Sequence, residues 1–151
     1  RNSKAGKVYS VEINREANKY AELNITLNKV KDRVILLNGN IKSVANKIKK
    51  GLPIKNKGAS GSERVPDKFD IIVMPRPQLK DSFLKEAFTL SKKGTRIFYY
   101  DFCKEEEIKN IVNKVKSTAK DHRIRVKILR VKKAGEIGVR KYRIRVDFVV
   151  T

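Results

Sequence analysis

The alternation of short apolar runs with amphipathic stretches of helical period most restricts what this chain can fold into. "KVYSVEI" (residues 7–13), "RVILLNG" (33–39), "FDIIVM" (69–74) and "TRIFYYDF" (95–102) are rich in β-branched and aromatic residues, the composition of strands. Between them, Ala17, Tyr20, Ala21, Leu23, Asn24 and Leu27 recur at helical spacing, which predicts a helix over 16–27 with Asn14 as its N-cap. Ile41, Val44, Ala45 and Ile48 predict a second, short helix closed by Gly51. Phe83, Leu84, Ala87, Phe88 and Leu90 predict a third over 83–91, capped by Asp81 or Ser82 and ended by Gly94. Ile108, Ile111, Val112 and Val115 predict a fourth over 105–118, with three acids in its first turn to suit the helix dipole. "FDIIVM" is apolar on both faces. Strands of that kind alternating with helices imply an α/β fold with a mainly parallel sheet. "RIRVKILRV" and "KYRIRVDFVV", around a Gly-containing connection at 132–140, predict a closing antiparallel pair. Residues 52–68 mix Gly, Pro, Ser and charges without period and read as a long mobile loop.

The 151 residues are one domain's worth of chain, and 40% apolar residues suffice for a core. Thirty-seven Lys and Arg against 16 Asp and Glu leave a net charge of +21, a field that draws polyanions and fits a nucleic-acid partner. A chain enriched in Lys for heat resistance raises its Glu in step, and here the acids lag. One cysteine, Cys103, forms no internal disulfide, and with a single histidine, His122, no Cys/His zinc cluster forms. The reading is of a cytoplasmic, soluble protein with no metal and no membrane span.

In parallel α/β sheets ligands sit at the carboxyl ends of the strands. Glu12 closes the first strand, where a carboxylate can accept two hydrogen bonds from the vicinal hydroxyls of a ribose; a solvated or capping glutamate is the alternative. Gly39 and Asn40 follow the second, and there a glycine lets a ligand approach the backbone while an amide can donate to and accept from an adenine edge; an ordinary turn is the alternative. Pro75 and Pro77 follow the third, holding carbonyls rigid without competing donors; a stiff strand-to-helix turn is the alternative. Arg76 between them is a phosphate contact or a solvated cation.

Taken together, "VYSVEINREANKYAELNITLNKV", "ILLNGN", "FDIIVMP", "FLKEAFTLSKKGTRIFYYDF" and "VRKYRIRVDFVV" resemble the later part of the archaeal and eukaryotic tRNA guanine-37 N1-methyltransferase family. That family shares its fold with the aminocarboxypropyl transferases of wybutosine synthesis. The resemblance implies a Rossmann-like class I methyltransferase sheet that binds S-adenosyl-L-methionine and modifies the base beside the tRNA anticodon. It implies that Glu12 holds the cofactor ribose and Asn40 lies at its adenine, with Ile13, Asn14, Gly39, Ile41 and Val73 lining the cofactor. Val73, Met74 and Pro75 face the sulfonium and the target guanine. The family motif there reads Asn-Leu-Pro, so the amide that positions the guanine is replaced by Val73. The family's first nucleotide-binding strand, with its Gly-rich turn, is expected upstream of Arg1, and these residues are expected to be the later piece of a longer enzyme. No general base is assigned.

Arg123, Arg125 and Lys127 alternate with apolar residues, as do Lys141, Arg143 and Arg145. Period two puts the basic residues on one face of each strand. If the faces coincide, six cations match phosphates; if not, they are the polar sides of half-buried strands. Tyr99, Tyr100 and Tyr142 stack on bases in the first case and are core or rim aromatics in the second. The leading function is a tRNA methyltransferase; a cofactor-free RNA-binding module that kept the fold and an aminocarboxypropyl transferase are the alternatives.

Overall fold

A computed structural model describes residues 4–54, 56–57, 65–75 and 81–151. The chain divides into two compact units, Arg1–Asp67 and Lys68–Thr151.

The first unit runs β1 (Val8–Glu12), α1 (Arg15–Leu27), β2 (Val34–Asn38), α2 (Ile41–Lys49) and β3 (Asn56–Lys57). β1 and β2 pair in parallel from Val8 opposite Val34 to Glu12 opposite Asn38, and β3 lies antiparallel on the other side of β2. Ile35, Leu36 and Leu37 are all buried. Consecutive burial means that β2 is covered on both faces, as a central parallel strand must be. Asn14 caps α1 as its sequence position predicts, its side-chain oxygen accepting from the Glu16 and Ala17 amides at 2.9 and 3.3 Å. The apolar stripe expected on α1 is not its inward face: Tyr20, Leu23 and Leu27 are exposed, and the buried residue of the helix is Asn18. The loop expected over 52–68 contains β3; residues 55 and 58–64 of it lie outside the described residues.

The second unit runs β4 (Phe69–Met74), α3 (Leu84–Thr89), β5 (Ser91–Lys104), a 3-10 turn (Glu105–Glu107), α4 (Ile108–Asp121), β6 (Val126–Gly138) and β7 (Lys141–Val150). Its sheet has the order β4-β5-β7-β6. β4 and β5 are parallel, while β7 is antiparallel to both its neighbours, which gives the closing antiparallel pair that the sequence predicts. Ile97 and Tyr99 of β5 and Ile144, Val146, Phe148 and Val150 of β7 meet Leu84, Ala87 and Phe88 of α3 and Ile111, Val115 and Ala119 of α4 in one buried cluster.

Several boundaries differ from the sequence expectation for local reasons. Gly94 does not end a helix; it lies inside β5 at φ 90°. The strand starts at Ser91 because the buried Thr95 hydroxyl donates to the Phe69 carbonyl at 2.6 Å while accepting from the Lys92 amide at 2.8 Å, tying its start to β4. The connection expected at 132–140 is mostly strand, and the chain reverses at Val139 and Arg140, the latter at φ 53°. β4 is apolar on both faces but covered on one: Ile72 and Met74 pack on the core, whereas Ile71 and Val73 are each 57% exposed.

Tyr99 makes a testable feature of this core. Burial, and then its 2.6 Å hydrogen bond to Asp101, push its phenol far above the usual value. The unfolded phenol titrates near pH 10, so the folded chain holds the proton at pH values where the unfolded chain loses it. This contribution to stability is complete below about pH 10 and falls as pH rises above it, by about tenfold in the folding constant per pH unit. Tyr99→Phe removes it. Urea unfolding should show the wild type losing its advantage over Tyr99→Phe between about pH 9 and about pH 11, and a constant difference would refute the assignment.

Candidate functional site

The carboxyl ends of β1 and β2 lie side by side because the strands pair in register. Glu12 ends one strand and Asn38 the other, and the Gly39 amide donates to the Glu12 carbonyl at 3.0 Å. The same carbonyl accepts from the Asn18 side-chain amide at 3.1 Å, and that amide also donates to the Asn14 carbonyl at 3.0 Å. One buried side chain on α1 thus ties down the Glu12 and Asn14 carbonyls at the two ends of the β1–α1 turn. The Glu12 carboxylate is held from the other side, its Oε1 accepting the Asn14 amide at 2.7 Å.

Gly39 sits at φ 148°, and a Cβ there would come within 3.4 Å of Val44 Cγ2. Only glycine accepts that backbone without strain. Asn40 is the N-cap of α2, its Oδ1 accepting the Lys42 amide at 2.9 Å. Its acceptor is therefore engaged, and what it offers a ligand is the donor side of the amide. Ile13 is exposed and Ile41 half-buried on the same two turns. Glu12, Ile13, Asn14, Gly39, Asn40 and Ile41, all singled out from the sequence, are gathered at one end of one parallel pair. The reading missed Asn18, whose position between Ala17 and Ala21 marks it as a polar residue on the helix's inward face.

In the second unit Val73, Met74 and Pro75 close β4. Met74 turns into the core and Val73 out of it. The Pro75 carbonyl, expected to be without competing donors, is approached by Arg143 Nη2 at 3.5 Å. Arg76 and Pro77 lie outside the described residues.

The basic residues of the closing strands sort by register. Directly opposed residues in a ladder share a face, and Lys127 lies opposite Val149, so it shares the face of Arg143, Arg145 and Lys141. The faces therefore coincide for these four. Arg123 and Arg125 precede β6, and Arg123 is held at φ 56° in the turn after α4, so they are not part of the strand pattern. Arg145 forms a two-pronged pair with Asp147, Nε to Oδ1 and Nη2 to Oδ2, both at 2.6 Å. Tyr99 belongs to the core and Tyr142 packs against it, whereas Tyr100 stands on the opposite face under Arg143.

Residues 1–57, the stretch carrying this strand-end cluster, match the model of the TRM5/TYW2 methyltransferase domain. The match covers the first 57 of the 151 residues. Among curated TRM5/TYW2 relatives, the chain is 42% identical over 79 residues to the Nanoarchaeum equitans tRNA (guanine(37)-N(1))/4-demethylwyosine(37)-methyltransferase Taw22, covering 52% of this chain and 26% of that protein. It is 28% identical over 149 residues to the Pyrococcus abyssi tRNA (guanine(37)-N(1))-methyltransferase Trm5b, covering 98% of this chain and 38% of that one. The crystal structure of that Trm5b superposes with a TM-score of 0.75 at 26% identity, over 97% of this chain and 38% of its own. Methanocaldococcus jannaschii TYW2, solved in complex with AdoMet, superposes at 0.77 with 22% identity, over 100% of this chain and 61% of its own, and shows the shared fold. The chain thus spans well under half the length of the curated relatives it matches.

Proposed function

We propose that the chain is the part of an S-adenosyl-L-methionine-dependent tRNA methyltransferase that holds the cofactor, acting at guanine-37 beside the anticodon in the cytoplasm. The observation that carries this reading is the double anchoring of the Glu12 carbonyl by Gly39 and Asn18, which fixes a carboxylate and a glycine turn at one end of two parallel strands. The residues fit the cofactor. Glu12, with Oε1 already oriented by the Asn14 amide, accepts from ribose hydroxyls; Gly39 sets the turn through a φ that glycine alone adopts freely; Asn40 offers its amide to adenine, with Ile13 and Ile41 as apolar neighbours. When bound, the cofactor supplies an electrophilic methyl group. Val73, Met74 and Pro75 at the end of β4 are assigned to the target base. Both relatives named above are tRNA methyltransferases, which supports tRNA as the substrate.

Isothermal titration of S-adenosylmethionine into the chain tests this. Glu12→Ala should weaken binding about 10- to 100-fold through the loss of charge-assisted hydrogen bonds. No heat with the wild-type chain, or equal affinity for the variant, would remove the reading.

Val73 favours a second reading. A side chain 57% exposed that offers no hydrogen bond stands where the family motif places an amide, as an RNA-binding module that kept the fold without the chemistry would have it. Such a module binds RNA and transfers nothing. Aminocarboxypropyl transfer uses the same cofactor on the same fold, and mass spectrometry of nucleosides from treated tRNA separates the two products.

A further inference from the structure

The four-stranded sheet has two very different faces. α3 and α4 both pack on one. The other is read from the ladder, in which directly opposed residues share a face. Phe98 of β5 stands opposite Asp147 of β7, which stands opposite Arg130 of β6. One row on, Tyr100 is opposite Arg145 and Arg145 opposite Lys132. The flanking rows add Arg96 and Lys127 at one end, either side of Val149, and Arg143 opposite Phe102 at the other. Among the described strand residues of this face Asp147 is the one carboxylate, and Arg145 already neutralises it with its two 2.6 Å bonds. The remaining cations on the face have no acid on it to meet.

The aromatic residues are not incidental to this. The Arg143 guanidinium lies over the Tyr100 ring at 4.7 Å and that of Arg145 over Phe98 at 5.3 Å. An arginine held over a ring is pre-ordered, and a guanidinium and an aromatic ring are both groups on which a base can stack. Arg143 Nε is also buried with no hydrogen-bond partner among the described residues, and its Nη2 reaches the Pro75 carbonyl at a long 3.5 Å, so the ring contact is a main determinant of where the side chain lies. Phosphate-binding cations interleaved with stacked planes are what an unpaired strand uses and a duplex, with its bases hidden, does not.

We infer that this face of the sheet is a platform for single-stranded RNA, with Arg130, Lys132 and Lys127 of β6 taking phosphates and the Arg143–Tyr100 stack taking a base. The inference rests on the RNA part of the proposed function and not on its cofactor part. A covering polypeptide would have to bring acids to match the same cations.

Fluorescence anisotropy of labelled oligouridine, and of its duplex with oligoadenine, tests this with the full 151-residue chain. The K127E/R130E/K132E variant should lose roughly 30-fold or more in affinity for the single strand, with a salt slope shallower by about 2. A charge-matched control on α4, K109E/K116E/K120E, should stay within about threefold of wild type if location and not net charge decides. Arg143→Lys keeps the charge without the plane and should lose about 5- to 10-fold on the single strand and nothing on the duplex. Equal losses in control and face variants, or a wild type that binds duplex as tightly as single strand, overturn the inference while leaving RNA as a partner. A wild type that binds neither overturns the RNA reading as well, whatever the cofactor titration gives.

Discussion

Phe148→Ala should cost the second unit about 3–5 kcal/mol, the range for removing a fully buried aromatic ring. Phe148 is wholly buried on β7, and its ring meets Phe88 of α3 at a centroid distance of 6.1 Å in a tilted contact. β7 is the strand on which the unit's architecture converges, since β5 and β6 both pair with it and both helices pack across it. Phe148 stands opposite Ile97 of β5 and Ile128 of β6 and beneath Phe88 of α3, side chains fixed on strands and a helix that already make their own contacts. Little collapse is open to them, so the cavity term adds to the lost transfer free energy. Val149→Ala on the opposite face, where the residue is half-buried, should cost about 1 kcal/mol or less. Urea unfolding followed by circular dichroism separates the two cases. Near-equal costs would mean that the core does not lie between β7 and the two helices.

The same contrast between the faces of β7 explains what was and was not legible in the sequence. Lys141, Arg143 and Arg145 alternate with Tyr142, Ile144 and Val146, and period two put the three basic residues on one face of β7, as the ladder has them. On β6 the pattern broke: the register shift between Ile128 and Arg130 puts a three-residue step between Lys127 and Arg130 on the same face. Regular alternation therefore reached Lys127 and missed Arg130 and Lys132. The cluster of Glu12, Asn14, Gly39 and Asn40 was legible because strand-end positions follow from the parallel pairing alone. Burial was less so. Ile71 and Val73 have the composition of a doubly covered strand, yet composition does not say whether a second layer is present. On α1 the spacing of Tyr20, Leu23 and Leu27 drew attention away from the inward face, where the decisive residue is polar.

That residue should be the most sensitive position of the first unit, and Asn18→Asp is the substitution that shows it. The side chain is 4% exposed and donates to the Glu12 and Asn14 carbonyls at 3.1 and 3.0 Å. Asn18 Oδ1 has no partner among the described residues, so the donor side of the amide does all of its work. A carboxylate of the same shape has no proton to donate when ionised and faces two carbonyl oxygens in a site that water does not reach. Burying an unpaired charge in this way costs on the order of 3–5 kcal/mol. Protonation relieves it, because the acid form keeps one donor. The introduced group therefore has a folded-state pKa raised above the ordinary carboxylate value of about 4. A raised pKa gives stability that is present below the unfolded value and lost as pH rises, by about tenfold per pH unit until the folded group itself ionises. The variant should be close to wild type at about pH 4 and markedly weaker at about pH 7, the opposite trend to a surface carboxylate that gains a cationic partner. Asn18→Leu, which carries no charge, should show no such pH dependence while loosening the turn, read as faster hydrogen exchange at the Gly39 amide. Because Gly39 and Glu12 share that carbonyl, the loosening should also appear as weaker S-adenosylmethionine binding. A pH-independent loss in Asn18→Asp would mean that the amide's two hydrogen bonds do not hold the turn.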